Sequence, residues 1–247
     1  MNDRCPVKHA KSYPFHIPDG SYVLDQDGWR PIAPADTHDT GVHHGRHGVI
    51  ACGSNASPDR LAAKFNGLGH LLAETIPVVR AVLHDFDTVY SAHISSYGSI
   101  PATLHHAPGA MADVFITWLT DAQLNRMHET ESVGVNYDYA QLNAISLVTE
   151  AGAGFTQAHA YISKRGCLTK NSKPVSLAAT RTDGRLWQAM DQAEVLDYAR
   201  SVTAPEESCT DRFIRAHIDC ANTRATRTAH LSETAQPFVW KGLKVLN

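Results

Sequence analysis

The sequence predicts an α+β domain, and three observations predict it. Apolar runs of strand length, at 49–52, 112–119 and 158–163, are set apart by turn residues. Helix-start signals, Ser57-Pro58 and Thr120-Asp121, stand between them, and most of the chain after residue 185 reads as helix. No internal repeat or low-complexity linker divides the 247 residues, so one domain is the simplest partition. Residues 1–48 read as an extended N-terminal arm, 49–200 as the central unit and 201–247 as a C-terminal helical extension of it.

The elements follow in order. The arm is rich in Pro, Gly, Asp and His; Ser21-Tyr22-Val23-Leu24 suits a strand and Asp27-Gly28 a turn. From Gly48 the character changes. Val49-Ile50-Ala51-Cys52 has the length of a buried strand, and Gly53-Ser54-Asn55 leads to a helix that Ser57 can cap and Pro58 can begin. A second helix is expected over 71–83, weakened by Pro77, and a strand over 88–93. Residues 100–104 and 112–119 look like the two arms of a hairpin turned at Pro108-Gly109. A short helix over 122–128 precedes extended segments at 137–142, 144–148, 158–163 and 174–179. Asp183-Gly184 reads as a turn, and helices are expected over 185–200 and 205–220.

Composition excludes several classes of function. The net charge is -3 and the basic residues are scattered, so neither nucleic acid nor a membrane surface is an expected partner. No apolar run approaches the roughly 20 residues of a membrane span, and Met1–Lys11 lacks the apolar core of a secretory signal. A cytoplasmic location is the expectation. The five cysteines, Cys5, Cys52, Cys167, Cys209 and Cys220, are odd in number and show no CxxC spacing, which argues against a disulfide framework or thiolate zinc site. Histidine is over-supplied at 15 copies. The segment from Asp36 to His47 could hold zinc or iron, but its spacing matches no ligand motif and its glycines make it a loop. No metal or cofactor is expected.

Three ordered segments carry the chemistry. They are Ala51-Cys52-Gly53-Ser54-Asn55; Ala102-Thr103-Leu104 with Ala107-Pro108-Gly109 and the strand after it; and Leu124-Asn125-Arg126-Met127-His128-Glu129-Thr130-Glu131, with Gly134 and Tyr137 behind. Together, over about residues 49–142, they resemble the γ-glutamylcyclotransferase-like family. Its members show Tyr-Gly-Ser-Asn, then Ala-Thr-Leu before Pro-Gly and a strand, then an acid before Gly and Tyr. No one motif is specific; the order is. The resemblance implies a mixed β-barrel with flanking helices and a small substrate carrying a carboxylate, and it leaves room for a homodimer.

The implied reaction is an intramolecular acyl transfer. The substrate's α-amine attacks its own γ-carbonyl, releasing 5-oxoproline and an amine. It needs a folded substrate, one base that takes and returns a proton, and donors for the oxyanion. A carboxylate in a partly dry pocket, its pKa raised by desolvation, suits both proton steps. Glu131 is the first candidate, at the boundary of helix and loop, and Glu129 the second. On a helix they would point about 200° apart, so at most one faces a pocket. The loop Gly53-Ser54-Asn55, between a strand and a helix start, suits a carboxylate cradle, with Cys52 and Tyr137 as further substrate-binding residues. Taken alone, that loop is an ordinary turn and either glutamate a solvated surface acid. Arg60 and Lys64 could approach an anionic substrate, with a solvated face as the plain alternative. His93, His105, His106 and Tyr97 are weaker candidates. Cys52 replaces the family Tyr, which puts the glutamyl specificity in question; its thiol reads as inert packing rather than a nucleophile. Hydrolysis or decarboxylation of a small amide or urea-derived carboxylate, a non-catalytic carboxylate-binding module, and a histidine metalloenzyme remain the alternatives.

Overall fold

The computed structural model describes residues 5–38 and 43–246, with the backbone alone at His38, so part of the histidine-rich segment lies outside the described residues. Helix α1 (Pro6–Lys11) opens the chain and packs on the C-terminal helices, with Lys11 paired to Asp211. Strands β1 (Tyr22–Asp25) and β2 (Gly28–Pro31) form a hairpin turned at Gln26-Asp27, one residue before the expected Asp27-Gly28, with Gly28 opening β2 at φ +124°. Then come β3 (His47–Ala51), α2 (Pro58–Lys64), β4 (Ile76–Tyr90), β5 (Ala102–Leu119), α3 (Asp121–Thr130), β6 (Tyr137–Thr149) and β7 (Gly154–Ser163).

β3 to β7 close on themselves. β4 pairs with β5 and β6, β5 with β3, β6 with β7, and β3 with β7; only the last pairing is parallel. The result is a mixed five-stranded barrel, to which β1 adds along β4. Side chains of opposite parity pack on its two faces. On β3, Ile50 joins a cluster with Val79, Val114 and Ile162, while Val49 and Ala51 join Phe115, Tyr161, and Leu61 of α2. The α+β class and the barrel are as expected.

Two local expectations fail for physical reasons. Residues 71–83 are not a helix; they include the first half of β4. That strand is buried almost continuously, so it lacks the alternation that separates strand from helix. Pro77 sits near its start, where a missing donor costs little. Pro108-Gly109 is not a hairpin turn either, because β5 runs unbroken through it. The register slips between His84 and Phe86, with Asp85 at φ +64° and Gly109 at φ +82°, and Gly109 N donates to Asp85 Oδ1 at 2.8 Å. The Pro-Gly pair makes a β-bulge, which bends the longest ladder of the barrel.

α3 begins as expected, with Thr120 and Gln123 forming a reciprocal capping box. After β7 the chain makes short strands β8 (Thr169–Lys170), β9 (Lys173–Pro174), β10 (Ser176–Leu177), β11 (Thr182–Asp183) and β12 (Ala189–Met190), then helices α4 (Gln192–Thr203), α5 (Thr210–Asp219) and α6 (Ala221–Ser232), and β13 (Leu243–Val245). The helix expected over 185–200 starts only at Gln192, where Asp191 and Glu194 form a capping box. The helix expected over 205–220 starts at Thr210, and α6 is an element the pattern did not reveal. These helices bury Leu196, Phe213 and Ile214 together with Val7, Ala10 and Tyr13 of the arm.

His217 on α5 is fully buried against Phe213, with rings 4.2 Å apart, and its Nε2 lies 3.2 Å from Arg227 Nη1. Burial and two arginines push its pKa down to about 3, and burial pushes buried His93 down to about 3 as well. Both are neutral in the fold but protonate near 6.5 when unfolded. As pH falls from 6.5 toward 3 the unfolded chain binds protons the native chain refuses, so stability drops throughout that window. The slope reaches about 1.4 kcal/mol per pH unit for each histidine. Urea midpoints should fall between pH 6.5 and 5, above the carboxylate range, and fall less steeply in His217→Gln. Parallel slopes would contradict this.

Candidate functional site

The turn after β3 is built as the sequence suggests: strand, a 3-10 turn over Ser54–Ala56, then α2. Pro58 stands in its first turn, but Ser57 holds the cap position without a side-chain hydrogen bond. Asn55 turns elsewhere: its Nδ2 donates to Glu131 Oε1 at 3.0 Å. The loop lines a cavity of about 500 Å³ with Cys52, Tyr137, Glu131, His93, Tyr97, Arg60 and Lys64 around it.

Of the two candidate acids, the structure brings one to this cavity. Glu131 caps the C-terminal end of α3, its side chain only 12% exposed. Lys64 of α2 pairs with it and also donates to Thr130 Oγ1 at 3.0 Å. Lys64 is therefore not on a solvated face. Glu129 points the other way, 67% exposed and paired with Arg126. Tyr137 is buried, its hydroxyl donating to Ala102 O at 3.1 Å.

Gly53 is required by crowding rather than by a left-handed turn. Its φ is -143°, and a Cβ there would lie 2.3 Å from the Tyr13 hydroxyl and 3.0 Å from Ala102 Cβ. Tyr13 comes from the arm, and no local signal in the sequence marks it as a site residue. Its hydroxyl accepts Ala102 N–H at 2.7 Å. The first backbone donor of β5 is thus directed at this hydroxyl, which stands beside Gly53 in the cavity wall. Burial keeps it protonated, well above the ordinary tyrosine range.

His93 lines the cavity, its ring 5.4 Å from that of Tyr137, and its Nδ1 lies 2.7 Å from Ser91 Oγ. His105 and His106 pack instead against Trp187 and Trp240. In the histidine-rich segment His43 lies on Trp118, and His47 pairs with Asp121 at 2.7 Å. Tyr97 carries Arg60 over its ring, 5.3 Å from the centroid. Arg165, Arg224 and Thr228 also line it, the last two from α6. No sequence pattern marks these three, because the segments that bring them lie after the last barrel strand.

Cys52 also lines a second cavity of about 300 Å³ with Arg80, Asp113 and Thr180. Burial pushes its thiol up to about 12, and that of Cys167 up to about 11, whereas exposed Cys5 and Cys220 lie below the ordinary thiol value through backbone and side-chain N–H or O–H donors. Iodoacetamide at pH 7.5 should label Cys5 and Cys220 first and reach Cys52 and Cys167 only after unfolding. Rapid labelling of native Cys52 would restore it as a candidate nucleophile.

Fold and site define an α+β barrel protein with a polar, carboxylate-bearing cavity at the turn after β3. No family model matches the chain, and no curated protein matches it. Among solved structures, a γ-glutamyl cyclotransferase is similar over 81% of this chain and 94% of its own, at 14% identity and a TM-score of 0.38. An uncharacterized protein from Homo sapiens is similar over 82% and 95%, at 15% identity and 0.38. YkqA from Bacillus subtilis is similar over 81% and 71%, at 12% identity and 0.37. Such scores carry no functional weight. No helix among the described residues is long and apolar enough to cross a membrane.

Proposed function

We propose that this protein is a γ-glutamylcyclotransferase-like enzyme that releases 5-oxoproline from a small γ-glutamyl amide by intramolecular acyl transfer, with Glu131 as general acid and base. The observation that carries this reading is the meeting of Glu131 with Asn55 and Lys64 at the wall of one cavity. Substrate would enter with its ammonium toward Glu131. The carboxylate takes a proton from the ammonium and the freed amine adds to the γ-carbonyl. Glu131 returns that proton to the leaving nitrogen as its C–N bond breaks, and the second proton of the attacking nitrogen passes the same way, so that the ring keeps one N–H and the leaving amine departs as an ammonium. The walls supply the ring-closing geometry, since the two reacting groups belong to one molecule and only their orientation must be fixed.

The oxyanion needs a donor that is already in place. Tyr13 fits that part: its hydroxyl oxygen accepts the Ala102 N–H, and its own proton has no acceptor among the described residues. The thiol of Cys52 has no part in these steps.

The test is direct. Purified protein is incubated with γ-glutamyl-alanine, γ-glutamyl-butylamine and a set of urea-derived carboxylates, and products are followed by mass spectrometry. Release of 5-oxoproline supports the reading. Consumption of the ureas alone would move the site to amide or carbamate chemistry, and binding without turnover would make it a binding module.

A further inference from the structure

The cavity carries more positive charge than the proposed reaction uses. Arg60, Lys64, Arg165 and Arg224 line it, and among the described lining residues Glu131 is the one carboxylate. Lys64 is matched by Glu131. The three arginines take part in none of the ion pairs among the described residues. This concentration of cations occurs in a chain whose net charge is -3. Positive charges gathered around one concave space repel one another and draw in anions.

Arg60 and Arg224 are held in place without being neutralised, and Arg165 lines the same cavity. Arg60 lies over the rings of Phe15 and Tyr97, 4.8 and 5.3 Å from their centroids, and its buried Nε lacks a hydrogen-bond partner. Arg224 is anchored from α6 through Nη1 to His217 O. Arg165 follows β7, and its charge acts on the buried imidazole of His93 in the cavity wall. Planar guanidinium forks match carboxylate and phosphate oxygens two at a time.

Charge matching then separates two ends of a substrate. A γ-glutamyl group brings one ammonium, which Glu131 receives, and one α-carboxylate. Arg60, on the helix that follows the Gly53-Ser54-Asn55 loop, can receive that carboxylate. Arg165 and Arg224 remain. We infer that Arg165 and Arg224 form a subsite for a leaving amine that carries two negative charges, as a dicarboxylate or a phosphate monoester. This rests on the cyclotransferase reading above and adds the substrate class to it.

Four compounds decide it: γ-glutamyl-aspartate, γ-glutamyl-phosphoethanolamine, γ-glutamyl-alanine and γ-glutamyl-butylamine. In the wild type, kcat/KM for 5-oxoproline release should be about a hundredfold higher for a dianionic leaving amine than for butylamine, about tenfold per guanidinium engaged. The better of the first two compounds tells dicarboxylate from phosphate. In the double variant Arg165→Gln/Arg224→Gln that ratio should collapse toward one. A wild-type ratio near one, or a ratio that survives in the double variant, overturns the subsite. Absence of 5-oxoproline from all four sinks the cyclotransferase reading instead. The subsite is then settled by titrating the same compounds into wild type and double variant. Tighter binding of the dianions, lost in the variant, upholds it; equal binding of all four overturns it.

Discussion

Glu131→Gln is expected to lose about a thousandfold in the rate of 5-oxoproline release while the protein still folds. The amide keeps the shape of the carboxylate and can still accept from Asn55 Nδ2, so the loop after β3 should hold its place. What disappears is the group that takes a proton from the substrate ammonium and gives it to the leaving amine. Stability should fall too, by about 2 kcal/mol, because the Lys64 ammonium is mostly buried and is left with Thr130 Oγ1 as its hydrogen-bond partner. Adding Lys64→Met to Glu131→Gln should recover part of that stability and none of the rate. The two losses are thereby separable: thermal melting reports the ion pair and turnover reports the proton transfer. Glu129→Gln should behave as wild type, since that side chain is exposed and paired only with Arg126. An inactive Glu129→Gln beside an active Glu131→Gln would reverse the assignment.

Some of this was legible in the sequence because it is local. The run 49–52, the small residues after it and Pro58 announce a strand, a turn and a helix start, and the structure has all three. Thr120 likewise announces α3. The placement of Glu131 followed from its position at a helix end, which the structure keeps. Other features depend on contacts between distant residues, and no local pattern holds them. Tyr13 meets Ala102 across 89 positions, and Arg224 reaches the cavity only because α6 folds back beside it. β4 was misread because burial on both faces erases its period, and the Pro108-Gly109 pair because a bulge uses the same residues as a turn. No local pattern announces, either, that a tyrosine from the arm fills the space that Gly53 leaves open.

The largest loss of stability should come from Asp87→Ala, away from the cavity. Asp87 lies on β4 with no exposed surface. Its carboxylate accepts from Thr88 N at 2.8 Å, Ser176 Oγ at 2.6 Å and Thr182 Oγ1 at 2.7 Å. Arg185 Nε stands 3.3 Å from Oδ2, close enough for an ion pair though not aligned as a hydrogen bond. Arg185 in turn donates to Leu177 O at 3.2 Å and to Thr182 Oγ1 at 3.0 Å. One buried carboxylate thus ties the segment carrying β10 and β11 to the barrel. Those strands are two residues each, and their backbone pairing alone is weak. Removing the carboxylate leaves a guanidinium and two hydroxyls short of a partner, at a cost of about 3–5 kcal/mol, or about 10 °C in melting temperature. Removing both charges in Asp87→Ala/Arg185→Leu should cost less than Asp87→Ala alone, because no buried charge is then left unpaired. The same lock guards Cys52: Ala179, Thr180 and Arg181 wall the smaller cavity behind it. Asp87→Ala should therefore raise the rate at which iodoacetamide labels Cys52 under native conditions. A variant that melts within about 2 °C of wild type, with Cys52 still protected, would show that the hydrophobic packing of β4 holds this segment without the carboxylate.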